Sequence, residues 1–285
     1  MLGYDINPTL TPEYTPKTTI KNICVPFNFS KCAYLGLKYA AGFAKLINAE
    51  LTILNCFQSS ALAFGSAADV AHTTKTYERK TEILKNVPEL KEVKTNLLVE
   101  HAFLPETVKD LCDENKIDMI IMGSEISGER EKLLGSNASS LVNHMPIPLL
   151  IVPDDLKRIK LDNIVLAADF QDFDDDTSMG ILKSFADVFK AKVQVVHVTD
   201  HDIDEKQVAA EQKIDSKLAG LDHKFYQYHS KKIHSGLVEF TKNQSIDLIV
   251  MVPRKHGFIE SLYNSSETKK MALDTKVPLL VLHES

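Results

Sequence analysis

The sequence predicts an α/β protein made of two tandem, doubly wound parallel sheets of five strands each. Short runs that are apolar throughout alternate with stretches of helical periodicity, as strands buried on both faces and their covering helices do. The chain also repeats itself. "KNICVPFNFS" (21–30) resembles "DNIVLAADFQ" (162–171), "NKIDMIIMGS" (115–124) resembles "QSIDLIVMVP" (244–253), and "MPIPLLIVPD" (145–154) resembles "TKVPLLVLHE" (275–284). Asp118 to Asp247 is 129 residues and Pro148 to Pro278 is 130. That period is too long for a solenoid unit and points to a duplicated domain. The one-residue difference lies between those landmarks, so the loop there is shorter in the first copy. The division expected is an N-terminal arm over residues 1–18, a first domain over 19–153 and a second over 154–285, joined around "PDDLKRIK" (153–160).

The first copy opens with a strand over 20–27. A helix follows, carrying Ala33, Leu37, Ala40, Ala41, Ala44 and Ile47 on one stripe. Then come a strand over 51–57, a long polar helix around 67–85, a strand over 94–100 and a helix over 106–115. A strand over 118–122, a helix over 136–144 and a strand over 148–152 complete it. The second copy follows the same plan, with Leu182, Phe185, Ala186 and Phe189 on its first helix. Right-handed crossovers turn this alternation into a sheet with helices on both faces.

Composition narrows the function classes. A net charge of −6 and a pI near 5.9 exclude a protein that coats nucleic acid or anionic membrane by bulk electrostatics. No apolar run approaches the ~18–20 residues of a membrane helix. The start, "MLGYDINPTLTPEYTPKTT", is polar and proline-bearing and lacks the pattern of a signal peptide, so it reads as an extended arm. The four cysteines, Cys24, Cys32, Cys56 and Cys112, form no CxxC pair and read as reduced thiols of a cytoplasmic protein.

Doubly wound sheets bind ligands beyond the carboxyl ends of their strands, where strand order reverses. The loops after the first and fourth strands are therefore the places to read. "IIMGSEISGEREKLLGSN" (120–137) is a strand that breaks at Gly123, a polar loop, and Gly135-Ser136-Asn137 at a helix start. Gly123 would let the backbone turn, and Gly128 and Gly135 add freedom. Free N–H groups and the positive dipole end at Ser136 and Asn137 would face an anion there. A second reading stands beside it: Ser136 or Asn137 is an N-cap and the glycines shape a turn.

"VPFNFS" after strand one, "IDMIIMG" before the loop, "LLGSN" after it and "PIPLLIVP" at the last strand resemble the universal stress protein family, and the resemblance spans both halves. It implies strand order 3-2-1-4-5 in each half, the adenine-nucleotide α-hydrolase-like arrangement. It also implies pairing of the last strands, here between "IPLLIVP" and "VPLLVLHE" within one chain as a pseudo-dimer. ATP-binding members carry Gly-x2-Gly-x9-Gly-Ser/Thr after strand four, and an Asp near the end of strand one holds the adenosine.

This chain departs from that pattern in both halves. Gly123 matches the first glycine and Gly135-Ser136 the last pair, but the spacing is 12 where the motif needs 13. Ile126 stands at the second glycine, or Gly128 replaces it after a shift. Asn28 stands at the Asp, keeping one acceptor but losing the charge. Pro26 and Ser124, at the ends of strands one and four, are counted with this site. In the second half Asp169 fits the Asp position, but Val252, Lys255 and Ser265 replace the glycines and only Ser266 is kept.

The resemblance thus implies possible ATP, with Mg, in the first half alone. The function expected is a non-catalytic, cytoplasmic stress-response protein acting mainly through protein contacts or self-association as a homodimer, without nucleic acid or membrane. The alternative is a nucleotide-responsive switch. Arg254, Lys255 and His256 form a basic loop, either anion-attracting or solvated. His197 and His201 raise the question of a metal, but a strand residue and one past its end do not share helical i, i+4 geometry. "QDFDDD" (171–176) complements a helix dipole. No HExxH, GxSxG or P-loop appears. Residues 59–72, "SSALAFGSAADVAH", have no counterpart in the second half and read as a flap, a partner surface or ordinary packing.

Overall fold

A computed structural model describes residues 19–57, 67–124, 141, 145–153, 156, 159–168, 176–252 and 276–282. The first half contains β1 (Asn22–Pro26), α1 (Lys31–Ile47), β2 (Glu50–Cys56), α2 (Ala67–Glu82), β3 (Thr95–Glu100), α3 (Leu104–Asp113), β4 (Met119–Ser124) and β5 (Leu149–Pro153). The second contains β6 (Asn163–Ala167), α4 (Asp176–Phe189), β7 (Lys192–Thr199), α5 (Glu205–Lys217), β8 (His223–His229), α6 (Ile233–Asn243), β9 (Leu248–Met251) and β10 (Leu279–Val281).

The ten strands among the described residues join one sheet in the order β3-β2-β1-β4-β5-β10-β9-β6-β7-β8. Each half is parallel and reads 3-2-1-4-5 outward-in, as expected. Only the seam is antiparallel, with Leu279 opposite Ile151, Leu280 opposite Leu150 and Val281 opposite Leu149. The last strands therefore pair within one chain, and two edges that would otherwise offer unpaired N–H and C=O groups are closed.

The strands at the centre are apolar because helices cover both faces. One core, containing Ile23, Val25, Leu37, Phe43, Met119, Ile164, Leu182 and Phe185, lies under α1 and α4. The other, containing Cys24, Leu54, Val108, Ile120, Ile249 and Phe240, lies under α3 and α6. Across the seam Phe43 of α1 stacks on Phe185 of α4, with centroids 5.5 Å apart. These two are counterparts in the repeat, 142 residues apart, like the left-handed residues that end the two helices, Asn48 (φ 55) and Lys190 (φ 50).

The amino edge is tied down in the same way twice. The Asp118 carboxylate is buried and accepts from the backbone N–H groups of Lys21 and Asn22 and from the Asn22 side chain. Its counterpart Asp247 accepts from the backbone of Asp162 and Asn163 and from Lys160 Nζ at 3.1 Å. The repeated "ID" of the sequence is thus a clamp holding strand four to the start of strand one.

Element boundaries shift slightly from the sequence expectation. α3 starts at Leu104 rather than 106 because Pro105 sits in its first turn, where its missing N–H leaves nothing unpaired. The helix expected over 136–144 lies outside the described residues except for Leu141, which is helical and buried. Among the described residues no helix is long and apolar enough to cross a membrane.

Candidate functional site

The carboxyl edge of the first half brings together four of the sequence-predicted residues. Pro26 ends β1, Asn28 follows it, and Gly123 and Ser124 end β4, the neighbour of β1. Pro26, Asn28 and Gly123 line one cavity, together with Leu54 and Cys56 at the end of β2 and Met122. Its volume is about 100 Å³. Ligand pockets usually run to about 300–1,000 Å³.

Asn28 is exposed, and its Oδ1 accepts from the Ser30 N–H at 3.1 Å. That bond makes an Asx turn leading into α1. Ser30 is then the N-cap, its Oγ accepting from the Ala33 N–H at 3.2 Å. Phe29, between them, is left-handed at φ 64. For a bulky residue this is an unusual conformation, held by ring contacts to Phe27 at 5.1 Å and Tyr77 at 6.5 Å. One of the two lone pairs of the oxygen expected to meet a ligand is therefore taken by the chain's own backbone.

Gly123 corrects the sequence reading. It is not a turning residue: it lies within β4 and has no positive φ. A Cβ there would overlap the Cys32 carbonyl oxygen and lie 2.8 Å from its carbon. Gly36, one turn further along α1, is reciprocal, since a Cβ on it would overlap the Gly123 N–H and lie 3.1 Å from the Met122 carbonyl carbon. The two glycines let the backbones of α1 and β4 meet. In the second half Val252, the counterpart of Gly123, is a buried side chain, so α4 cannot approach its strand in that manner.

Sequence reasoning missed Asn55 and gave His197 a different question. Asn55 is buried in β2, and its Nδ2 donates to the Phe27 carbonyl at 2.6 Å. His197, its counterpart 142 residues on, is also buried, and its Nδ1 lies 3.0 Å from the Ala168 carbonyl. Each side chain pins the carbonyl that leads out of strand one. A carbonyl only accepts, so Nδ1 of His197 carries the proton. Its Nε2, 3.3 Å from the Gln207 side-chain nitrogen, then accepts. Gln207 in turn closes a capping box with Asp204 at the start of α5. The available signal was an amide or imidazole set among apolar residues near the end of each second strand, in "LTILNCF" and "VQVVHVT".

An aromatic set walls the same edge of the first half. Phe57 stacks on Tyr77 at 4.3 Å and meets His101 at 4.8 Å, and Lys80 Nζ lies 5.2 Å from the Tyr77 ring centre. Burial raises the pKa of the Cys56 thiol, which lines the cavity.

Gly128, Gly135, Ser136, Asn137, Asp169 and Ser266 lie outside the described residues, as do Ile126, Lys255, Ser265, Arg254 and His256. So does the larger part of the segment 59–72, whose last six residues belong to α2.

The sequence profile of the "Universal stress protein family" matches residues 19–153. A Staphylococcus aureus (strain USA300) protein carrying that family's name is 30% identical over 143 residues, 47% of this chain and 84% of the relative. Among solved structures, a universal stress protein from Archaeoglobus fulgidus DSM 4304 superposes with a TM-score of 0.71 at 16% identity, over 94% of this chain and 98% of that one. A functionally unknown protein from Pseudomonas aeruginosa PAO1 does so with a TM-score of 0.62 at 15% identity, over 94% of each.

Proposed function

The chain belongs to the universal stress protein family, and from that premise we propose a regulatory, non-catalytic protein of the cytoplasm that acts through protein contacts, its nucleotide site closed down. One observation carries this reading. The cavity lined by Pro26, Asn28 and Gly123 is only about 100 Å³, and the Asn28 oxygen beside it accepts from the Ser30 N–H. Replacing the family's Asp by Asn removes the charge that favours an outside donor and leaves an acceptor that the helix start takes for itself. In the second half Val252 fills the place of the first glycine with a buried side chain.

A second reading is a nucleotide-responsive switch in the first half. The convergence of Pro26, Asn28 and Gly123 on one cavity favours it. Calorimetric titration with ATP–Mg, beside a Gly135→Arg variant, separates the two. The proposal expects no saturable heat up to millimolar ATP from either protein. Micromolar binding that Gly135→Arg abolishes would overturn it and establish the switch.

A further inference from the structure

On the face of the sheet covered by α1 and α4, the ends of these two helices leave an apolar groove of about 490 Å³. Leu46 and Ile47 form one wall and Val188 and Phe189 the other, with Phe43 and Phe185 at the base. Leu46 and Val188 are 57% and 56% exposed, among the most exposed large apolar side chains described. They are counterparts in the repeat (188 − 46 = 142), so the groove straddles the internal pseudo-twofold.

We propose that this groove is the docking site of the chain's own N-terminal arm, residues 1–18, with Tyr14 seated in it. The pseudo-symmetry carries the argument. The segment that leads into β6 crosses α1, where the Ile159 side chain lies over Gly42 so closely that a Cβ there would be 2.8 Å from its Cδ1. Leu156 and Ile159 of that segment pack against the core. The equivalent segment leading into β1 must cross α4 at Ser184, the counterpart of Gly42 (184 − 42 = 142), and Ser184 lines the groove. The counterpart of Ile159 is Thr18 (159 − 141 = 18), the last residue of the arm. Thr19 and Ile20 already stand on the groove wall, so the arm leaves the described structure inside the site.

The two sides of the pseudo-twofold differ in what they offer. On the α1 side an isoleucine covers a glycine. On the α4 side the threonine at position 18 is too small to cover the apolar wall, and the arm must supply a larger group from further back. Tyr14 is the first aromatic side chain upstream of Thr19. Four residues separate it from Thr19, at most about 16–18 Å of extended chain from Cα to Cα. Prolines at 8, 12 and 16 favour an extended arm and lower the entropy of laying it down. The tyrosine fits a groove that is apolar at its base and open to water at its mouth, where Asp187 lies.

Disulfide trapping in the full-length protein tests this. A Tyr14→Cys/Val188→Cys variant should close an intramolecular bridge under mild oxidation, at least about tenfold faster than a Tyr14→Cys/Lys45→Cys control. Lys45 is the control because it is exposed on α1 next to Leu46 but is not part of the groove. Independently, Tyr14→Ala should raise amide hydrogen exchange at the ends of α1 and α4 in the protein that lacks the engineered cysteines. Equal trapping rates in the two pairs would overturn the proposal, as would exchange unchanged by Tyr14→Ala. A bridge that forms only between two chains would also overturn it and identify the groove as an interface between copies.

Discussion

At Gly123 the absent side chain makes room for the backbone of α1, and Gly36 answers it from the helix. The atoms that a Cβ would strike are backbone atoms of Cys32 and Gly36, which cannot rotate away. Gly123→Ala should therefore destabilise the fold by about 1–3 kcal/mol, the usual range for overpacking, measured by urea unfolding. Val252→Gly at the counterpart should also destabilise it, by a different route, because a buried side chain is lost from a packed core. His223 supplies a pH dependence. Partial burial lowers its pKa, but the Leu221 carbonyl at 3.0 Å and the Asp215 carboxylate at 2.9 Å outweigh that, and the net direction is upward from 6.5. A group raised on folding stabilises the native state while protonated. Its contribution is full below pH 6.5 and fades as pH rises through the raised value. Wild type minus His223→Gln, compared by urea midpoint across that window, should show a larger difference on the acid side.

At the scale of elements, the clamps at Asp118 and Asp247 do the same work in both halves. Each carboxylate takes up two backbone N–H groups at the start of strand one, and one partner more. Asp118→Ala and Asp247→Ala should each destabilise by about 1–3 kcal/mol, since two backbone N–H groups lose a charged acceptor. Asp118→Ala should have the larger effect, because Asp118 is the more deeply buried and Lys160 can turn to solvent. Comparison of the two urea midpoints checks this order. These elements were legible in the sequence because the same "ID" recurs before an apolar run at a fixed offset. Apolar runs without alternation likewise announced strands covered on both faces. The roles of single site residues were not legible. A glycine in a sequence does not say which backbone comes to meet it, and Asn28 does not reveal that its oxygen turns back to Ser30. Asn55 goes unremarked in the sequence and His197 reads there only as a metal candidate, because their shared task, holding the carbonyl that leaves strand one, exists only once β1 and β2 lie side by side.

At the scale of the whole molecule, the two halves share one sheet through a short antiparallel seam, and the Phe43–Phe185 stack locks their first helices across it. The duplication lets the halves diverge at their carboxyl edges while the centre stays symmetric. The first half keeps Gly123 for helix docking and spends its Asn28 oxygen on α1. The second puts Val252 where the first has that glycine. The account therefore turns on whether the cavity beside Asn28 accepts a nucleotide. The most direct measurement is an NMR titration that follows the Asn28 side-chain amide and the backbone amides of Ser30 and Gly123 as ATP–Mg is raised to millimolar concentration. The account predicts that these resonances stay in place, with the Ser30 amide keeping the signature of its bond to Asn28. Saturable shifts at all three positions, with loss of that bond, would contradict it and mark the first half as a working nucleotide site.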